Sequence, residues 1–199
     1  MARNEPGRLN LCSVTAPGCG SYAKPLNSRM RIALFQPDIP QNTGTILRLC
    51  ACLGVEAHII EPAGFPVTDR AFRRAGMDYL DQVMILRHSS WQAFESWRHH
   101  EALRLVLFTT RAATSYVNHA YQSSDILLLG RESSGVPDAV HRAADARLLI
   151  PLRPGLRSLN VAMAAAMAVG EALRQTEGFS PLRHHRPAAD LGFYPRSGQ

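Results

Sequence analysis

The chain has 199 residues, 46% of them hydrophobic and 19% charged, enough to bury the core of one domain. No apolar run reaches the roughly 18 residues of a membrane helix, and Arg3 and Arg8 precede no continuous apolar stretch of the kind a signal peptide requires, so a cytoplasmic protein is expected. The formal charge of +6 sits mostly at the ends: Arg3, Arg8, Lys24 and Arg29 face only Glu5, and Arg183, Arg186 and Arg196 face only Asp190. The middle is close to neutral, so any nucleic-acid surface must be a local patch.

Regular patterning begins at Met30. Residues 1–29 mix Asn, Pro, Gly and Ser without period and read as a disordered extension or as sequence ahead of a true start at Met30. Within them Gly18-Cys19-Gly20-Ser21-Tyr22-Ala23 matches a dinucleotide fingerprint, with Asp38 about 20 residues on, but Pro25 forbids the helix that should hold a pyrophosphate, so the match is chance. Arg31–Phe35 then reads as a buried strand. The loop Gln36–Gly44 leads into a helix over Thr43–Leu53, with Asn42 as its N-cap and Arg48 on its second turn. A capped helix start exposes N–H groups that favour an anion, and the guanidinium suits a phosphate or a ribose hydroxyl. A partly buried arginine paired to a carboxylate is the plainer alternative.

Cys50 and Cys52 in that helix read as small buried hydrophobes. With Cys12 and Cys19 they form no disulfide or zinc framework, and His99-His100 and His184-His185 have no matching ligand spacing, so no metal is expected. Further strands are expected at Val55–Ile60, Val83–Leu86, Leu103–Phe108, Asp125–Leu129 and Arg147–Ile150. Helices are expected at Thr68–Ala75, Ser90–His100, Pro137–Ala143 and Leu159–Thr176. Apolar strands alternating with helices predict an α/β fold, about six parallel strands covered on both faces. Residues 179–199 return to unpatterned Pro, His, Arg and Gly, a flexible tail.

Two more loops follow strands. In Leu129-Gly130-Arg131-Glu132-Ser133-Ser134-Gly135-Val136-Pro137, a side chain at Gly130 would block a ligand approaching the strand end. In Ile150–Asn160, Pro151, Pro154 and Gly155 break regular structure before Ser158, which reads as the cap of a helix rich in alanine. Its short side chains permit close approach of another backbone. Taken singly, each loop could be an ordinary connection. Three such loops at strand ends make a ligand rim.

The order N-T-G-x-x-x-R at Asn42 to Arg48, L-G-R-E-S-S-G-V-P at Leu129 to Pro137 and I-P-L-x-P-x-x-x-S-L-N at Ile150 to Asn160 resembles the three motifs of the SPOUT RNA 2′-O-ribose methyltransferases. His58 to Phe65 and Arg73 to Tyr79 are similar to the short subfamily acting on the tRNA wobble nucleotide, cytidine or uridine. The likeness spans Met30 to Gly178, and the subfamily's P-E-T-R-G-like second motif is replaced here by Arg131-Glu132-Ser133-Ser134-Gly135. The resemblance implies a parallel-sheet domain over residues 30–178 with a C-terminal deep trefoil knot, a homodimer, and S-adenosylmethionine held by Phe108, Thr109, Gly130, Glu132, Ile150, Leu152, Ser158 and Leu159. It gives Arg48 the central part in activating the ribose hydroxyl. Arginine is too weak a base for simple proton abstraction, so it is expected to position that hydroxyl. Asn42, Arg70, Arg73, Arg74 and Arg153 are the expected RNA contacts. A methyltransferase for another tRNA or rRNA position, or an RNA-binding module on the same fold without catalysis, stays open.

Overall fold

The computed structural model describes residues 30–66 and 83–179. The extension 1–29, the expected helix Thr68–Ala75 with Arg70, Arg73 and Arg74, and the tail from residue 180 lie outside the described residues. Strands β1 (Arg31–Phe35), β2 (Glu56–Ile60), β3 (Ile85–His88), β4 (Leu105–Phe108), β5 (Thr114–Ser115), β6 (Ile126–Leu129) and β7 (Ala146–Leu149) form one sheet in the order β3-β2-β1-β6-β4-β7-β5. Every pairing is parallel. Parallel neighbours need crossovers, which helices α1 (Pro40–Leu53), α2 (Trp91–His100), α3 (Asp138–Ala143) and α4 (Val161–Gln175) help supply.

The helices divide the core in two. On one face Ile46, Leu47 and Cys50 of α1 and Ala165, Ala168, Val169 and Ala172 of α4 pack on Ile32, Leu34, Leu127 and Leu129. On the other, Phe94 of α2 and Val140 of α3 cover Ala33, Phe35, Leu105, Leu107 and Leu128. Burial on both sides explains why β1, β4 and β6 are apolar along their length apart from Arg31. The alanines of α4 therefore serve first as an inward face, letting that helix lie on α1.

Several expected boundaries shift for local reasons. Helix α1 begins at Pro40, with Ile39 in extended conformation before it and no side-chain cap. Proline's fixed φ suits the first helical position, so Asn42 lies inside the first turn and is not the N-cap. Helix α4 is capped by Asn160, whose Oδ1 accepts the Ala162 N–H at 2.8 Å; Ser158 is not its cap. Strand β3 starts two residues later than expected, and β5, only two residues long, makes seven strands rather than six. Cys50 is buried as expected, but Cys52 is exposed.

The sheet also buries polar groups. Arg31 and Glu56, register partners on β1 and β2, approach to 3.6 Å with both side chains almost fully covered. Glu56 lies 3.1 Å from His58 Nε2. His58 Nδ1 meets His88 Nε2 at 2.9 Å, and the two rings stack with centroids 5.2 Å apart beneath Phe94 and Trp97.

Candidate active site

Strands β6, β4 and β7 are neighbours, and their C-terminal ends open onto a cavity of about 710 Å³. That is where an open parallel sheet places its ligands, and the size is that of a small-molecule site. Phe108 and Thr109 continue β4 into its wall, Leu129 and Gly130 continue β6, and Ile150 and Leu152 follow β7. Glu132 belongs to the turn after β6, and Ser158 and Leu159 close the far side ahead of α4. All eight residues expected at the cofactor thus border one space, although Phe108 and Leu159 lie 51 positions apart in the chain.

The turn after β6 is built on glycine. Arg131 and Gly135 exchange backbone hydrogen bonds of 3.0 and 2.9 Å, closing the loop on itself. Gly135 has φ +67°, and a Cβ on Gly130 would come within 2.7 Å of the Gly135 carbonyl carbon. The absent side chain therefore makes room first for the chain's own turn, and only then for a ligand.

A polar chain joins the three motif loops. Asn42 Nδ2 donates to Glu132 Oε1 at 3.0 Å, and Asn160 Nδ2 donates to Asn42 Oδ1 at 3.0 Å. Asp38, which the motifs did not single out, accepts from the Glu132 and Ser133 N–H groups at 3.2 and 3.3 Å and from the Ser133 hydroxyl. Arg131 Nε donates to the Gln36 carbonyl at 3.1 Å, where Gln36 itself takes a left-handed φ of 46°. The hydrogen bond from Glu132 and the loop donors hold the Asp38 carboxyl well below the usual carboxylate range, while burial and then Asp38 push Glu132 upward.

Other expected residues stand apart. Arg48 lies on the exposed side of α1 and outside the cavity wall; six positions from Asn42, it is about 120° round the helix and about 9 Å along it. Arg153 is exposed in the third loop, also outside the wall. Arg111, His141 and Arg157, which no motif marks in the sequence, also border the cavity. Arg111 is paired with Asp138 at 2.7 Å, and burial pulls the His141 imidazole down. Among the described residues, no group of three or more His, Cys, Asp or Glu could hold a metal ion, and no helix is long and apolar enough to cross a membrane.

Comparison with known proteins joins this geometry to a family. The profile of the SpoU rRNA methylase family matches residues 29–170. This chain belongs to that family. This SpoU methylase is 67% identical over 144 residues to a tRNA (cytidine(34)-2′-O)-methyltransferase of Beijerinckia indica, covering 72% of this chain and 90% of that one. It is 39% identical over 148 residues to the enzyme of the same name from Escherichia coli K12, covering 73% and 93%. Its fold matches a structure solved for 2′-OH methylation of C/U34 on tRNA, with a TM-score of 0.70 and 37% identity over 74% of this chain and 95% of that one. It also matches an AdoMet-bound rRNA methyltransferase of Sinorhizobium meliloti, with a TM-score of 0.68 and 27% identity over 75% and 57%. The α/β parallel sheet is that of the SPOUT methyltransferases.

Proposed function

We propose that this methylase transfers a methyl group from S-adenosylmethionine to the ribose 2′-oxygen of the wobble nucleotide, cytidine or modified uridine, in cytoplasmic tRNA. The observation that carries this reading is the cavity over β6, β4 and β7, walled by the second and third motif loops and tied to the first through Asn42, in a chain so similar to named wobble methyltransferases. The wall fits the cofactor: apolar Phe108, Leu129, Ile150 and Leu152 suit a purine, and strand-end backbone groups can bond its edge. When bound, S-adenosylmethionine supplies an electrophilic methyl on a sulfonium. Phe108, Thr109, Gly130, Glu132, Ile150, Leu152, Ser158 and Leu159 are assigned to hold it.

Methyl transfer is an in-line displacement, so the ribose oxygen must be fixed opposite the sulfur. Arg48 is assigned that positioning, with Asn42, Arg153 and, in the segment outside the described residues, Arg70, Arg73 and Arg74 contacting RNA. Arg48→Ala is expected to lower kcat by about 100-fold or more, with S-adenosylmethionine affinity unchanged by calorimetry. Arg48→Lys should lose most of that activity too, because a point charge cannot reproduce the planar fork. Near-normal turnover in the alanine variant would remove the role.

The active form is assigned as a homodimer whose C-terminal segment forms the family's knot within residues 30–178. Met163 and Met167, one turn apart on α4, are 59% and 38% exposed, and Leu156 and Leu159 in the loop before the helix are 66% and 39% exposed. Exposed apolar side chains on the third loop and on α4 suit burial by a second copy. Wild-type protein is expected at twice the chain mass in light scattering, and Met163→Glu with Met167→Glu is expected at the chain mass. A dimeric double variant would move the interface elsewhere.

The deciding measurement is mass spectrometry of tRNA nucleosides from cells lacking the protein, with in vitro methylation by the purified chain. Loss and restoration of 2′-O-methylation at the wobble position are expected. An unchanged wobble nucleotide with loss at another tRNA or rRNA position would overturn the substrate while leaving the reaction.

A further inference from the structure

We infer that Glu132 accepts the proton of the ribose 2′-hydroxyl and that Asp38 is the positioning residue that holds the Glu132 carboxyl in the cavity wall. The inference rests on the methyltransferase reading above and adds the proton acceptor that Arg48, a very weak base, cannot supply.

Among the described residues, Glu132 is the one carboxylate bordering the cavity. Its place is fixed from two directions. Asn42 donates to Oε1 at 3.0 Å from the first motif. From below, Asp38 accepts the N–H groups of Glu132 and Ser133 and the Ser133 hydroxyl, gripping the turn that carries the carboxyl. Asp38 thus places its negative charge beside the turn that carries Glu132. Donors around Asp38 keep it ionised, and burial together with that charge raises the Glu132 carboxyl. The other charged or titratable groups facing the cavity are Arg131 in the same turn, Arg111 after β4, His141 on α3 and Arg157 in the third loop.

The step balances within these groups. The ribose O–H bond breaks and an O–H bond forms on ionised Glu132. The electron pair left on the ribose oxygen forms the new bond to the methyl carbon, and the pair of the broken C–S bond stays on sulfur. Glu132 ends neutral and returns its proton to water after product release. Only ionised Glu132 can act, and a carboxylate raised by burial and by Asp38 is a stronger base than an exposed one.

The test compares wild type, Glu132→Gln, Asp38→Asn and His141→Gln with undermodified tRNA. Gln still accepts from Asn42, so Glu132→Gln is expected to keep the fold, read by thermal unfolding, while kcat at saturating S-adenosylmethionine falls on the order of 100-fold or more. In wild type kcat is expected to rise with pH as Glu132 ionises. Asp38→Asn removes the neighbouring charge and is expected to move that rise to lower pH. Infrared difference spectra of the cofactor-free protein should show the same carboxyl titration, absent in Glu132→Gln and displaced in Asp38→Asn; a merely structural Asp38 would alter affinity and leave the titration in place. Glu132→Gln with more than a tenth of wild-type kcat, or a pH dependence that survives it and vanishes in His141→Gln, would overturn the inference while wild-type activity upholds the reading beneath it. A wild-type chain that methylates no RNA would overturn both.

Discussion

Gly130→Ala is expected to lower kcat by about 100-fold, the scale of loss when reacting groups are displaced by about an ångström, to weaken S-adenosylmethionine binding, and to destabilise the fold by about 1–3 kcal/mol. The new Cβ would sit 2.7 Å from the Gly135 carbonyl carbon and 2.9 Å from its Cα and oxygen. Those are backbone atoms, held by the two hydrogen bonds between Arg131 and Gly135, so no side chain can swing aside. Relief requires the turn to lift, and Glu132 and the rim of the cavity lift with it. Gly135→Ala is the informative contrast. Its Cβ would meet nothing within 4 Å, but φ is +67°, so its cost is that of a left-handed alanine, about 1–2 kcal/mol, with a smaller effect on the ligand. Calorimetric titration and thermal unfolding of both variants measure the difference. Unaltered binding by Gly130→Ala would show that the turn does not shape the cofactor site.

Sequence pattern revealed the sheet more fully than it revealed the site. Arg31–Phe35 was readable to the residue because both faces of a central parallel strand are covered and four of its five residues are apolar. Strand β3 runs past its apolar signal because His88 is buried through His58 and two aromatic neighbours, a reason that hydropathy cannot register. Thr114–Ser115 has no strand signal of its own and is ordered by Leu148 and Leu149 of β7. At the site, the motifs located the loops because glycine, proline and asparagine mark special backbone. The bonds between loops left no such mark. Asp38 and Glu132 are 94 positions apart and Asn42 and Asn160 are 118 apart, separations at which one sequence contains no spacing rule. Helix starts differ from their cap signals for a related reason: Asn42 and Ser158 are good cap residues, but Asn42 is engaged with Glu132 and Asn160, and proline at the first position begins α1 without a cap.

Buried His88 gives the protein an acid-sensitive core. Burial first, and the neighbouring His58 second, lower His88 from 6.5 to about 4. An unfolded chain takes up that proton near the ordinary histidine value, whereas the folded chain refuses it until about pH 4. Between those values the unfolded state binds more protons, so stability rises with pH through the window. The contribution is complete above about pH 6.5 and its loss reaches about 3 kcal/mol by pH 4, a fall of roughly 6–12 °C in unfolding midpoint for a chain of this size. Carboxylates held low, such as Asp38, act mainly below that window, and Glu132, held high, acts with the opposite sign. Comparison with His88→Gln cancels both, because glutamine can still hydrogen-bond with His58 Nδ1 but cannot titrate. The variant is expected to be less stable at pH 7, having lost the ring stacked on His58 and packed against Trp97, and to lose markedly less stability than wild type between pH 6.5 and 4. Denaturant unfolding at several pH values reads this directly, and parallel curves for the two proteins would place the acid sensitivity elsewhere in the fold.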